Sequence, residues 1–174
     1  MKKLYTFTPV ALATLFSLSA MAVQKDITIT ADIDPTVELL QADGTALPSS
    51  LKMTYLPGVG LQKKTLSTKI FTNDVKSQVE MRLLTAPVLA SNTKPSATAI
   101  PLSVSYNGKT LTTAVTKDST LKPTDLFPNG RLDAGSVPFD LVISQTTQAA
   151  ITESGSYQGV VSLVLNTATA AVGG

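Results

Sequence analysis

Val23-Gln24-Lys25-Asp26-Ile27-Thr28-Ile29-Thr30-Ala31-Asp32-Ile33 alternates without a break in its second half. Ile27, Ile29, Ala31 and Ile33 share one face. Asp26, Thr28, Thr30 and Asp32 share the other. A period of two places successive side chains on opposite faces, so the stretch reads as a half-buried β-strand. Asp34-Pro35 ends or bends it, because proline has no N–H to give to a strand ladder. The same period recurs downstream. Val37 to Gln41 is a short apolar strand before an Asp43-Gly44 turn, and Leu51, Met53 and Tyr55 alternate before Pro57-Gly58-Val59-Gly60 breaks the chain. Leu61 to Thr72 is extended and rich in Thr, with a turn at Asn73-Asp74. Val79, Met81 and Leu83 alternate with Glu80 and Arg82. Leu102, Val104 and Tyr106 lead into Asn107-Gly108, a two-residue hairpin turn because both positions tolerate positive φ, and Lys109 to Val115 returns. Phe139, Leu141 and Ile143 form the penultimate strand, and Tyr157 to Leu165 the last. Segments 86–100 and 117–136, carrying Pro87, Pro95, Pro123, Pro128 and Gly135, read as loops. No segment keeps a helical period over three turns. Many short strands separated by turns predict an all-β chain folded as a β-sandwich.

Upstream of the first strand, Met1-Lys2-Lys3 supplies a positive start, Leu4 to Leu18 carries no charge, and Ala20-Met21-Ala22 places small residues where a signal peptidase needs them. That order predicts a secretory signal peptide cleaved between Ala22 and Val23. A membrane anchor is the rival reading. The uncharged run is borderline for a bilayer that needs about 20 apolar residues, and it contains Pro9 and several Ser and Thr. Removing 22 of the 174 residues leaves 152, enough for one domain. The whole chain has 14 Lys+Arg against 12 Asp+Glu; Lys2 and Lys3 leave with the signal peptide, so the mature chain has 12 of each and no net charge. Nothing in that balance suggests a nucleic acid as partner. The expected organisation is a signal peptide over 1–22, an N-terminal strand over 23–34, a β-sandwich over 35–166 and a small-residue tail over 167–174 that frays.

The residue inventory excludes several chemistries. With no His and no Cys, the chain has no Ser-His-Asp or Cys-His catalytic set, no thiolate or imidazole zinc site and no disulfide. Asp32 and Asp34 share the polar side of the first strand, but no calcium loop accompanies them. Ser49-Ser50-Leu51-Lys52 has the Ser-x-x-Lys spacing of penicillin-binding enzymes, yet it follows Pro48, enters an alternating stretch instead of a helix, and has no Lys-Thr-Gly or Ser-Asp-Asn companion. No catalytic residue, metal or cofactor is expected. Alternation alone leaves the first strand two roles: strand one of its own sheet, or a strand given to another molecule.

The run Asp34-Pro35-Thr36-Val37-Glu38-Leu39-Leu40-Gln41-Ala42-Asp43-Gly44-Thr45-Ala46-Leu47-Pro48 resembles the major pilins of the colonisation factor antigen family, the alpha-class fimbriae of the chaperone–usher pathway that include the cable pilus subunits. Ile27-Thr28-Ile29-Thr30-Ala31, Thr72-Asn73-Asp74 and Tyr157-Gln158-Gly159-Val160-Val161-Ser162-Leu163 are similar to the corresponding pilin segments. The resemblance implies an incomplete immunoglobulin-like sandwich completed by donor-strand complementation. It makes Ile27, Ile29, Ala31 and Ile33 the donated face. Tyr157, Val161, Leu163 and Leu165 would line the accepting groove, with Gly159 allowing close backbone approach. The implied partners are neighbouring copies of the chain, a periplasmic chaperone, an outer-membrane usher and a tip adhesin; the implied destination, through the periplasm, is a cell-surface fimbria. The competing expectation is a soluble exported β-sandwich that binds carbohydrate or protein, with the first strand packed in its own sheet.

Overall fold

Long alternating stretches become paired strands, and their apolar faces meet in a single core. The computed structural model describes residues 37–168 except 75, 118, 119 and 132. The larger sheet runs in the order β1 (Val37–Gln41), β4 (Lys64–Thr72), β10 (Phe139–Gln145), β7 (Ile100–Tyr106), β6 (Val88–Ser91) and β11 (Tyr157–Gln158), with β8 (Lys109–Thr110) also on β7. The smaller sheet is β12 (Leu163–Ala168), β5 (Gln78–Leu83) and β9 (Thr120–Leu121). A separate hairpin pairs β2 (Tyr55–Leu56) with β3 (Gly60–Leu61), and one helical turn, α1 (Pro123–Leu126), interrupts the strands. Every described ladder is antiparallel.

The two sheets face each other across one cluster. Leu39, Ile70, Leu102, Val104, Tyr106, Leu141 and Ile143 come from the larger sheet, and Val79, Met81, Leu83 and Leu121 from the smaller. Val79, Met81 and Leu83 alternate with the half-buried Glu80 and Arg82, as the pleat requires. Removing a side chain as enclosed as Met81 or Ile70 by substitution with Ala costs about 2–5 kcal/mol, since the rigid sheets collapse only partly into the space. Two buried hydroxyls repair the sheet where β10 stops short. Ser136 Oγ accepts from Ile70 N at 2.9 Å and Ser136 N donates to Ile70 O at 2.8 Å, so this residue carries on the ladder of β4 ahead of Phe139. Thr68 Oγ1 donates to Phe139 O at 2.9 Å.

The structure departs from the sequence reading in five places. Leu51 and Met53 do not lie in a strand; only Tyr55 does, and 45–54 is almost wholly irregular. Its alternation has no neighbouring strand edge to pair with beyond Gln62 N, which donates to Thr54 O at 2.8 Å. The return after Asn107-Gly108 pairs for two residues only; Leu83 N then donates to Thr112 O, because the chain leaves one sheet and crosses to the other. Segment 86–100 contains β6, placed by Leu102 N donating to Pro87 O at 2.9 Å. Segment 117–136 contains β9 and α1, and it buries Leu126 and Phe127 in the core. The last strand is split: β11 pairs with β6 in the larger sheet, β12 with β5 in the smaller, and β12 continues through Thr167 and Ala168 into the expected tail.

Candidate subunit-binding groove

The split last strand marks a place where the sandwich is open. A groove of about 1130 Å³ runs between the last strand and the irregular segment around Leu47–Met53. Its apolar floor is the inner face of the larger sheet: Leu66 on β4, Leu141 and Ile143 on β10, Ile100 and Leu102 on β7, and Leu89 on β6. Among the described strands, β12 has a neighbour on one side only, β5. Among the described strands, pairing along the other edge of β12 is therefore open, and the groove reaches down to apolar side chains of the larger sheet.

Four of the five residues expected to accept a strand lie here. Tyr157, Gly159, Val161 and Leu163 line the groove. Leu165 packs against the core cluster further along β12 and is not among the lining residues. Tyr157 is fixed from both sides: its backbone pairs with Ser91, and its hydroxyl donates to Glu153 O at 3.1 Å. Gly159 does allow a close backbone approach, but to this chain's own β6. A Cβ there would stand 2.0 Å from Val88 O and 3.2 Å from the Leu89 side chain. Ile27, Ile29, Ala31 and Ile33, and the cleavage residues Ala22 and Val23, lie outside the described residues.

Sequence reading missed the floor. Leu141 and Ile143 read as one face of a strand and Leu66 as part of an extended stretch, but alternation does not tell which part of an inner face borders a groove. The opposite wall, from Leu47 to Met53, came from a segment read partly as a strand. At the rim, Glu153 accepts from Thr98 N at 3.2 Å and from Lys94 Nζ at 3.2 Å, and these two bonds, the backbone one foremost, hold its exposed carboxyl below the ordinary value. Ser49 and Lys52 line the groove on irregular, exposed chain, without the helix that would set them on one face. Among the described residues no group of acidic side chains could hold a metal ion. The arrangement suits an extended apolar segment: a hydrophobic floor, an open strand edge and a polar rim.

Residues 23–166 match the family model described as CS1 type fimbrial major subunit. The chain is 41% identical over 177 residues to a CS1 fimbrial subunit of Escherichia coli, covering 97% of this chain and 100% of that one. It is 38% identical over 169 residues to a CFA/I fimbrial subunit of Escherichia coli O78:H11 (strain H10407 / ETEC), covering 95% of this chain and 98% of the relative. Among solved structures it is similar to the CooA pilin subunit from enterotoxigenic Escherichia coli, with a TM-score of 0.65, 34% sequence identity, and coverage of 78% of this chain and 89% of that one.

Proposed function

The chain belongs to the CS1 type fimbrial major subunit family, which makes it an all-β, immunoglobulin-like structural pilin of a surface fimbria and not an enzyme, and from that premise we propose that copies of it join by insertion of one subunit's N-terminal strand into the groove of the next. The observation that carries the proposal is the apolar groove lined by Leu66, Leu141 and Ile143 beside β12, which among the described strands pairs with β5 alone. The strand from Val23 to Ile33 fits it chemically. Its apolar face of Ile27, Ile29, Ala31 and Ile33 meets the floor, and its backbone can pair with β12. Each large plug buried contributes roughly 1.5–3 kcal/mol and Ala31 less, so the four together reach an upper value on the order of 5–10 kcal/mol before ordering costs. Ladder hydrogen bonds add to this.

In this reading the chain is made with a signal peptide over 1–22, crosses the periplasm with a chaperone covering the groove, and is added to the fibre at an outer-membrane usher beneath a tip adhesin. An uncovered groove and strand edge would otherwise attract nonspecific pairing. The mature chain would comprise a donor strand over 23–34 and a sandwich over 35–166. Adding a synthetic peptide of residues 23–34 to the purified mature chain tests the central step. The expected result is tight binding with a higher melting temperature, whereas the same peptide with Asp in place of Ile29 and Ile33 has no effect. Equal stabilisation by both peptides, or by neither, contradicts the proposal.

A further inference from the structure

The hairpin β2–β3 is held firmly yet presents apolar side chains to solvent. Leu61 N donates to Gln145 Oε1 at 3.0 Å, Gln148 Nε2 donates to Val59 O at 2.9 Å, and Tyr55 Oη donates to Ile151 O at 3.1 Å. Gly60, at φ +110°, sits so close to Ala149 that a Cβ would stand 2.3 Å from its carbonyl oxygen. A segment anchored this way is not a frayed loop. Even so, Tyr55, Leu56 and Val59 are 45%, 42% and 45% exposed around the turn at Pro57-Gly58. A fixed apolar projection on a soluble surface marks a contact.

Chain geometry identifies the occupant. Tyr55 and Leu61 line the same groove as Leu163, where β12 begins, and the hairpin leads into Lys64, the end of β4 away from Thr72. β12 ends at Ala168, opposite Gln78 at the start of β5. That far end is also where Val37 pairs with Thr72, and where the chain enters the sandwich. A strand inserted antiparallel to β12, as in every described ladder, seats its last residue, Ile33, at the hairpin end. Only Asp34, Pro35 and Thr36 separate Ile33 from Val37. Fully extended, that tether spans about 14 Å at most. The body of the donating copy therefore lies against the hairpin, and it arrives with its Val37–Thr72 end foremost.

We infer that the Tyr55–Leu61 hairpin is a second, strand-independent docking surface, seated on the Val37–Thr72 end of the neighbouring copy whose N-terminal strand fills the groove. This rests on the strand-insertion reading above. The seat at that end is a dent of about 300 Å³ where the exposed Val137 and Pro138 stand over the buried Leu126 and Phe127, with Lys69, Arg131 and Asp133 also lining it. Knob and dent lie at opposite ends of the chain's strands, so the contact is heterologous and repeats along a filament without closing.

The test compares fibres of the full mature chain carrying Leu56→Asp, Val59→Asp, Val137→Asp or Ile29→Asp with those of wild type. The readouts are monomer release on heating and binding of the 23–34 peptide to the purified chain. Leu56→Asp and Val59→Asp should bind peptide as wild type does, while their fibres release monomer roughly tenfold faster, the factor set by ~1.4 kcal/mol at an interface anchor. Release at the wild-type rate from both overturns the inference. If either hairpin variant fails to bind peptide, Val137→Asp decides alone: faster release with peptide binding retained supports the contact, and unchanged release overturns it. Ile29→Asp separates the two claims. If it assembles like wild type, strand insertion itself fails and this inference with it; if it does not assemble while the hairpin variants match wild type, only the docking surface is wrong.

Discussion

Tyr106 is the residue at which the core is least comfortable. It is 2% exposed, its ring packs against Phe139 at 5.7 Å between centroids, and its hydroxyl makes no hydrogen bond of acceptable geometry. Thr68 is the nearby polar group, but its own hydroxyl donates to Phe139 O. Burial pushes the phenol up to about 12, offset only in part by Thr68. Tyr106→Phe removes an unsatisfied polar atom while keeping the ring, so it should leave stability unchanged or raise it by about 1 kcal/mol in urea unfolding. The pH dependence has a definite sign. Between pH 10 and 12 the unfolded chain has lost this proton and the folded chain keeps it, so the stability contribution is complete below pH 10 and is lost as pH rises, with a limiting slope of about 1.4 kcal/mol per pH unit. Tyr106→Phe should lack that component, seen as a shallower alkaline fall in the urea midpoint. Gly159 gives the opposite case. Gly159→Ala drives a methyl into Val88 O and should cost about 1–3 kcal/mol by displacing β6 from the last strand. A variant as stable as wild type would mean that β11 and β6 separate freely.

Among the elements, those with at least five residues and a buried face were legible. β5, β7 and β10 follow their alternation, β1 and β4 fall in stretches read as apolar or extended, and the turn between β7 and β8 has positive φ at both Asn107 (50°) and Gly108 (74°), as its residue types require. β6, β9 and α1 were not legible, because two to four residues are too few to show a period. They are placed by partners: Pro101 and Ile100 for β6, Glu80 and Val79 for β9. Leu51 and Met53 failed for the reverse reason, since alternation without an adjacent edge makes no strand. The candidate groove was half readable. Tyr157, Val161 and Leu163 announced a face, while the floor of Leu66, Leu141 and Ile143 depends on which part of the sheet borders the groove, and that is a property of the topology. The split last strand yields its own prediction. Amides of Gly159 to Ser162, between β11 and β12, should exchange hydrogen faster than those of β5 in the lone mature chain. Added 23–34 peptide should protect them and the β12 amides. No change in β12 on peptide addition would place the inserted strand elsewhere.

For the molecule as a whole, residues 23–174 carry 12 Lys+Arg against 12 Asp+Glu, have no disulfide and leave an apolar groove beside β12, so association would supply what the chain lacks alone. Ligand binding to the folded state stabilises it by mass action, so the melting temperature of the mature chain should rise with peptide concentration. A lone chain should be aggregation-prone through its open edge. The proposed insertion joins two different patches, and such a contact, repeated in one direction, does not close. The most direct measurement compares multimer ladders of unboiled surface fibres from wild type, Ile29→Asp, Ile33→Asp and the polar-face pair Thr28→Ser and Thr30→Ser. An unpaired charge forced against Leu66, Leu141 and Ile143 costs several kcal/mol, so both Asp variants should lose the ladder, while both Ser variants keep it. Ladders from the Asp variants equal to that of wild type would show that this strand is not what joins the subunits.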